Sequence, residues 1–192
     1  HVTIPKVFSL NGYNTSTLGK IYHGVSPKGE FDKVGTKALL PNRFPDEKFV
    51  KTPQNHRLVD WGVWPPKDSD QLDYKTADWA ANEFSQKPKD PFFMAVGFFR
   101  PHVPLYASQK WFDLYPEDSL VLPPIRRDDR KDTPRFSWYL HWKLPEPRLK
   151  FLDESKQLQN KVRSYLASVS FIDSQVGRVL DALKESGLED NT

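Results

Sequence analysis

Two short stretches of the sequence combine a strong cation with a titratable imidazole. In the first, residues 19–23 (Gly-Lys-Ile-Tyr-His), Lys20 is followed three residues later by His23. A lysine ammonium can neutralise the charge of an oxyanion, and an imidazole can donate or accept a proton near neutral pH. The pair suits an anionic substrate such as a sulfate or phosphate ester, although two surface residues on a turn would show the same pattern.

The second stretch, residues 98–104, contains Arg100 and His102 in a loop with two prolines. Prolines restrict the backbone, and rigid placement of a cation beside an acid–base group is what an oxyanion site requires. Alternatively, these two side chains cap a strand or bind backbone carbonyls.

Both stretches follow predicted β-strands. Residues 13–18 form a short predicted strand, and the apolar run of residues 92–98 is typical of a central strand that is buried on both faces. In open α/β sheets, ligands bind at the carboxyl ends of the strands. We therefore expect Lys20, His23 and His102 to face one pocket that accepts a tetrahedral anion.

Four segments have helical patterns, and the shortest begins at Ser108 and includes Trp111, Phe112 and Leu114. Thr3 begins a short helix in which Val7, Phe8 and Leu10 are expected to point inward, and residues 70–86 form a second helix. Apolar residues spaced three and four apart over 155–186 predict one long amphipathic helix of about 45 Å. The order of elements predicts an α/β fold, specifically an α/β/α sandwich with a long C-terminal helix.

Two proline-rich stretches, residues 24–69 and 123–147, have no sustained hydrophobic period. The chain contains 17 prolines, and we interpret both stretches as surface insertions of a single domain that spans residues 1–192. Their aromatic residues could stack on sugar rings or pin the loops to the body of the domain; they are Trp61, Trp64, Trp138, Tyr139 and Trp142.

Composition excludes several classes of protein. The 28 basic against 25 acidic residues give a net charge of +3, which is too small and mixed to favour a nucleic-acid partner. No apolar run approaches the length of a membrane span. The absence of cysteine excludes disulfides, thiolate nucleophiles and cysteine-based zinc sites.

Asp128 and Asp129 lie among alternating charges that are typical of a solvated loop, so no metal ligand is assigned.

Four stretches, in this order, resemble the sulfatase family of the alkaline phosphatase superfamily, and most closely its iduronate-2-sulfatase-like branch. They are NGYNTSTLGKIYH (11–23), DPFFMAVGFFRPHVPL (90–105), KWFDLYP (110–116) and RSYLASVSFIDSQVGRVLDAL (163–183). The resemblance implies part of an alkaline-phosphatase-like α/β/α sandwich. It also implies an enzyme that hydrolyses sulfate esters of a sulfated sugar or polysaccharide, exported to a periplasm or the extracellular space, or to a lysosome in a eukaryote.

The resemblance also implies roles for individual residues. In that family a formylglycine attacks sulfur and a calcium ion polarises the sulfate. Lys20 would bridge the nucleophile and a sulfate oxygen, and His23 would bind the formylglycine hydroxyl. His102 would assist departure of the ester oxygen, and Arg100 would contact substrate charge.

The sequence departs from the family pattern at the nucleophile and the metal. It has no cysteine, and no serine lies in the S-x-P/A-x-R context from which formylglycine is made. The early Asp-Asp pair and the later Asp-His-Gly segment that hold the calcium are also missing. We therefore expect an interior fragment that, alone, neither binds calcium tightly nor releases sulfate.

Two other functions fit the same residues. A phosphate or phosphonate ester hydrolase of the same superfamily would also use lysine and histidine. A non-catalytic module could instead use these cations and the aromatic loops to hold a sulfated glycan.

Overall fold

The computed structural model describes residues 2–24, 26–36, 44–88, 91–126 and 128–192. Parts of both predicted insertions, residues 25, 37–43 and 127, lie outside the described residues, as do residues 89 and 90. The described part contains six α-helices and five β-strands, with single 3-10 turns at Asp68–Asp70, Glu117–Ser119 and Glu189–Asn191.

The helices and strands follow one another along the chain in the order α1 (Ile4–Leu10), β1 (Asn14–Gly19), β2 (Lys33–Val34), β3 (Trp61–Val63), α2 (Leu72–Ser85), β4 (Phe92–Gly97), β5 (Leu105–Ala107), α3 (Gln109–Phe112), α4 (Arg135–Trp142), α5 (Leu149–Glu154) and α6 (Leu158–Ser186).

The described strands form two parallel sheets. The first has the order β2-β1-β4, and its β1–β4 register runs from Asn14 opposite Phe92 to Gly19 opposite Gly97. The second pairs β3 with β5, with Trp61 opposite Leu105. Parallel strands joined through helices confirm the predicted α/β class.

Helix α6 holds the described elements together. It packs against α2, α3, β3 and β5, and its buried Ala167 and Phe171 form one apolar cluster with Ala107 and Phe112. Gly187 ends the helix in the left-handed conformation, with φ +77°, as a helix-terminating glycine does. The predicted long C-terminal helix is therefore confirmed, but it begins at Leu158, three residues later than predicted.

The prediction that residues 92–98 form a central strand buried on both faces is wrong. Among the described strands β1 is central, and β4 lies at the edge. Phe92 to Val96 are only half-buried. An apolar run bounded by prolines predicts a strand but does not give its place in the sheet. In the described part of the chain, no strand pairs with the second edge of β4.

The inward orientation predicted for α1 is also wrong for two of its residues. Val7 and Leu10 are 47% and 69% exposed, because a seven-residue helix buries only one side. Phe8 packs inward, stacked on Phe93 with ring centroids 4.5 Å apart. The Thr3 hydroxyl donates to Glu30 and does not cap the helix.

The described parts of the two proline-rich stretches contain regular structure. Segment 24–69 contributes β2 and β3, and its Trp61 is 2% exposed, with an indole N–H that donates to Gln157 Oε1 at 3.1 Å. Trp61 therefore pins the chain to the body of the domain. Segment 123–147 contains α4, which sequence periodicity did not predict.

Candidate functional site

The carboxyl ends of β1 and β4 lie side by side. The Lys20 amide, one residue past β1, donates to the Gly97 carbonyl at 2.9 Å. Within the strands, the Thr17 hydroxyl donates to the Ala95 carbonyl at 2.9 Å. The two stretches that the sequence singled out therefore leave the same edge of one sheet.

Two glycines allow the strand ends to approach so closely. A Cβ atom on Gly97 would lie 2.4 Å from the carbonyl carbon and oxygen of Lys20. A Cβ on Gly19 would lie 1.8 Å from the Gly97 oxygen, and Gly19 has φ +94°, which other residues rarely adopt. Backbone packing at this junction requires glycine at both positions.

Lys20 connects the two stretches. It is half-buried, and its ammonium lies 5.6 Å from the centroid of the Phe99 ring, in the loop that follows β4. A cation at this distance from an aromatic face is attracted to the ring. The lysine charge is thus held beside the second stretch.

A buried carboxylate on α2 anchors the loop after β4. Asp73 is 3% exposed, and its two oxygens accept from the amides of Phe99 at 2.7 Å and Arg100 at 3.0 Å. Burial raises the pKa of Asp73, and the two amide hydrogen bonds oppose that rise. Sequence reasoning missed this residue.

Arg100 closes the same loop on itself. Its Nη1 donates to the carbonyls of Pro104 at 2.5 Å and His102 at 3.3 Å, and its guanidinium carbon lies 5.7 Å from the centroid of the Tyr106 ring. The binding of backbone carbonyls, which the sequence left open for Arg100, is therefore present. These contacts fix the loop that carries His102.

His102 is exposed, and its Nδ1 lies 2.8 Å from the Val103 carbonyl. A carbonyl only accepts hydrogen bonds, so this contact places the proton on Nδ1. Nε2 is then a proton acceptor in the neutral ring and a donor in the protonated ring. His102 can serve as an acid or a base at Nε2.

His23 lies at the same edge of the sheet, three residues after Lys20. It is exposed in the bend that follows Lys20, and within the described ranges its ring makes no hydrogen bond. The structure thus brings Lys20 together with the 98–104 loop, while His23 extends from the adjacent turn.

The described residues do not fit a metal ion. Within these ranges, no group of three or more histidine, aspartate or glutamate side chains could hold one. Asp128 contacts Arg126 and Lys131 at 3.9 and 3.6 Å on the surface, which agrees with a solvated charged loop. With no cysteine in the sequence, neither a metal site nor a formylglycine is assigned to these residues.

Comparison with known proteins decides the family. The Sulfatase family model matches residues 1–192, the whole chain. The chain belongs to the sulfatase family. Members of this family generally use a formylglycine and a divalent metal.

Curated relatives agree with that assignment. A sulfatase from Formosa agariphila is 37% identical over 100% of this chain and 40% of its own length. Mouse iduronate 2-sulfatase is 29% identical over 99% of this chain, and an endo-4-O-sulfatase from Bacteroides thetaiotaomicron is 29% identical over 98%; each is covered over 38% of its length. The chain therefore spans about 40% of the length of these sulfatases.

Solved structures share the fold. One, solved with its substrate D-glucosamine-2-N,6-O-disulfate, has a TM-score of 0.58 at 20% identity and covers 99% of this chain and 48% of its own. Another, solved with a neocarrahexaose, has a TM-score of 0.53 at 22% identity, with coverages of 98% and 38%. They confirm the predicted fold, part of an alkaline-phosphatase-like sandwich. None of the helices in the described ranges is both long enough and apolar enough to cross a membrane.

Proposed function

We propose that this chain supplies the cationic part of the active site of a sulfuric ester hydrolase. The observation that carries the proposal is the glycine junction of β1 and β4, which places Lys20 beside the loop of Arg100 and His102. These residues lie at the carboxyl edge of a parallel sheet, where α/β folds bind their ligands.

Each candidate side chain has a role that follows from its chemistry. The Lys20 ammonium neutralises negative charge on a sulfate oxygen. A positive charge stabilises the transition state most when it is already in place before the reaction. His102, with its Nδ1 bound to the Val103 carbonyl, delivers a proton from Nε2 to the departing ester oxygen. His23 acts as a second acid–base group from the neighbouring turn, and Arg100 contacts negative charge on the substrate.

The nucleophile and the metal come from other residues in this proposal. Calcium is the divalent ion we propose, and its ligands and the formylglycine lie outside the 192 residues, because the described residues fit neither group.

The substrate that we propose is a sulfated sugar or polysaccharide. The Bacteroides relative is an endo-4-O-sulfatase, and the two structural neighbours were solved with D-glucosamine-2-N,6-O-disulfate and a neocarrahexaose. We place the protein outside the cytoplasm, in a periplasm, the extracellular space or a lysosome. Residues 1–192 form part of one catalytic domain, in which segments 24–69 and 123–147 contribute to substrate choice.

Paired assays on the full-length protein in the presence of calcium test the proposal. 4-Nitrophenyl sulfate and 4-nitrophenyl phosphate share a leaving group, so their relative kcat/KM reports preference for the anion. We expect the sulfate ester to be hydrolysed faster. Faster phosphate hydrolysis would favour the phosphatase alternative. Binding of a sulfated oligosaccharide without any hydrolysis, lost in Lys20→Ala, would favour a glycan-binding module.

A further inference from the structure

A small cavity lies between the 98–104 loop and the amino end of α2. Its volume is about 40 Å³, and its walls include Trp64, Gln71, Asp73, Phe99 and Arg100. A single polar group, such as a water or a hydroxyl, needs a volume of this order. The cavity adjoins the proposed site directly, because Arg100 and Phe99 belong to the loop that carries His102.

Gln71 contributes a polar atom that the rest of the described chain does not satisfy. The residue is 5% exposed, and its side-chain amide nitrogen is buried without a hydrogen-bond partner among the described residues. A buried donor without a partner destabilises the fold, because it has lost its hydrogen bond to water without replacement. A partner from outside the chain would remove that destabilisation.

The Gln71 side chain is not needed to begin α2. The turn is made by backbone groups: the Gln71 amide donates to the Asp68 carbonyl at 2.9 Å, and the Gln71 carbonyl accepts from Lys75 at 3.3 Å. The side chain makes no capping hydrogen bond. A role in helix formation therefore does not account for a buried glutamine amide at this position.

Charges of both signs border the cavity, the carboxylates of Asp70 and Asp73 and the guanidinium of Arg100, and a neutral hydroxyl that both donates and accepts suits such a setting. The Asp73 carboxylate already accepts from two amides, but a carboxylate has about four acceptor sites. A hydroxyl can accept from the Gln71 amide and donate to Asp73 at once. A carboxylate or a second sulfate would instead face two carboxylates, Asp70 and Asp73, against the single positive charge of Arg100.

We propose that Gln71 is a specificity-determining residue that binds a free hydroxyl of the sulfated sugar, beside the ester that is cleaved. The assignment rests on the proposed sulfatase function and deepens it, since it requires a substrate with a hydroxyl within reach of the 98–104 loop. Asp73 accepts from the same hydroxyl.

The test uses the full-length protein and sulfated monosaccharides. The probes are the 6-sulfates of glucosamine and galactose and the 2-sulfate of iduronic acid. Each is compared with analogues in which one free hydroxyl is replaced by hydrogen. For wild type we expect one deoxy analogue to lose about 10-fold in kcat/KM, the size of one hydrogen bond to a buried group. In Gln71→Met the same replacement is expected to lower kcat/KM by clearly less than in wild type, because only the hydrogen bond from the hydroxyl to Asp73 remains.

Gln86→Met is the matched control, since Gln86 is an exposed glutamine at the other end of α2. It should discriminate between the hydroxyl and deoxy substrates as wild type does. If wild type and Gln71→Met respond equally to every deoxy analogue, the amide binds no hydroxyl of the substrate and the proposal is overturned. Cleavage of 4-nitrophenyl sulfate but of no sugar sulfate would also overturn it. Failure to release sulfate from any ester would instead contradict the proposed function.

Discussion

Two carboxylates hold the backbone segments that carry the proposed site. Asp73 fixes the loop after β4 through the amides of Phe99 and Arg100. Asp32, just before β2, accepts from the amide and hydroxyl of Thr15 in β1 at 2.9 and 2.8 Å. Each links segments that are distant in sequence, so their loss should affect both stability and activity.

Removal of Asp73 should loosen the 98–104 loop. In Asp73→Ala two amides lose their acceptors, and we expect the free energy of unfolding in urea to fall by about 2 kcal/mol. Asp73→Asn keeps one acceptor oxygen and should lose less. The control is Asp173→Ala, at an exposed position of α6, which should stay within about 0.5 kcal/mol of wild type. Equal stability of Asp73→Ala and Asp173→Ala would contradict this role.

Asp32 should make the stability of the fold depend on pH. The Thr15 hydrogen bonds hold its pKa below the ordinary value. A carboxylate with a lowered pKa stabilises the fold above its unfolded-state pKa, about 3.9, and that contribution is lost as the pH falls through the lower folded value. The stability difference between wild type and Asp32→Asn should therefore be full at pH 7 and shrink below pH 4. Urea titrations at pH 7, 5 and 3 measure it, and a constant difference would be evidence against this contribution.

The candidate residues Lys20 and His102 stand out in the sequence more clearly than the residues that hold their backbone segments in place. Lys20 and His102 are unusual residue types directly after predicted strands, so pattern and chemistry point to the same positions. Asp73 lies in the first turn of a helix, where acidic residues are common because they complement the helix dipole. Its partners are backbone amides 26 and 27 residues away, which no local pattern reveals.

The junction of β1 and β4 is the element that brings the two stretches together. Gly97 has no room for a Cβ beside the Lys20 backbone, so the two strand ends must separate if a side chain is added. Since Lys20 and the 98–104 loop begin at this junction, a small displacement there moves both candidates for sulfate binding.

Gly97→Ala should be strongly destabilising. We expect a loss of about 2 kcal/mol or more in the free energy of unfolding, as for overpacking at a closely packed site. Sulfate release by the full-length protein should fall with it. Gly177→Ala is the matched control: a Cβ there meets nothing within 4 Å, and alanine in a helix should stabilise by about 0.5–1 kcal/mol. A Gly97→Ala variant as stable as Gly177→Ala would show that the strand ends can separate without cost.

Elements with a hydrophobic pattern or a capping residue of their own were predictable, including the short α1, β1 and α3, whereas the three-residue strands β3 and β5 were not. Helix α6 has an apolar stripe over eight turns, so its period alone predicts it. Strands β3 and β5 have three residues each and pair across a separation of 44 positions, as in Trp61 with Leu105. Such pairing depends on tertiary packing, which also explains why Trp61, in a proline-rich stretch, is part of the core.

At the scale of the whole molecule, the chain spans about 40% of the length of its curated relatives. Its described residues provide cations and an acid–base group but no group that could hold a metal. Positive charge at a sheet edge binds an anion, yet hydrolysis also needs a nucleophile and a group that withdraws charge from the sulfate.

The 192 residues alone should therefore be inactive. We expect no release of nitrophenol from 4-nitrophenyl sulfate above the buffer rate, with or without calcium, and no tight calcium binding by calorimetry. The full-length protein at the same concentration is the positive control. Sulfate ester turnover by the 192-residue chain would contradict this expectation, because it would require a nucleophile within these residues.

Convergence of Lys20 and His102 on one sulfate is most directly tested by the non-additivity of their substitutions. In the full-length protein we expect Lys20→Ala and His102→Ala each to lower kcat/KM for 4-nitrophenyl sulfate by about 100-fold or more. The double variant should fall little further, because residues that act on the same group as a unit lose their effect together. If the two losses multiply in the double variant, as they do for independent sites, the result would contradict a shared sulfate site. A single variant that keeps the wild-type rate would contradict it as well.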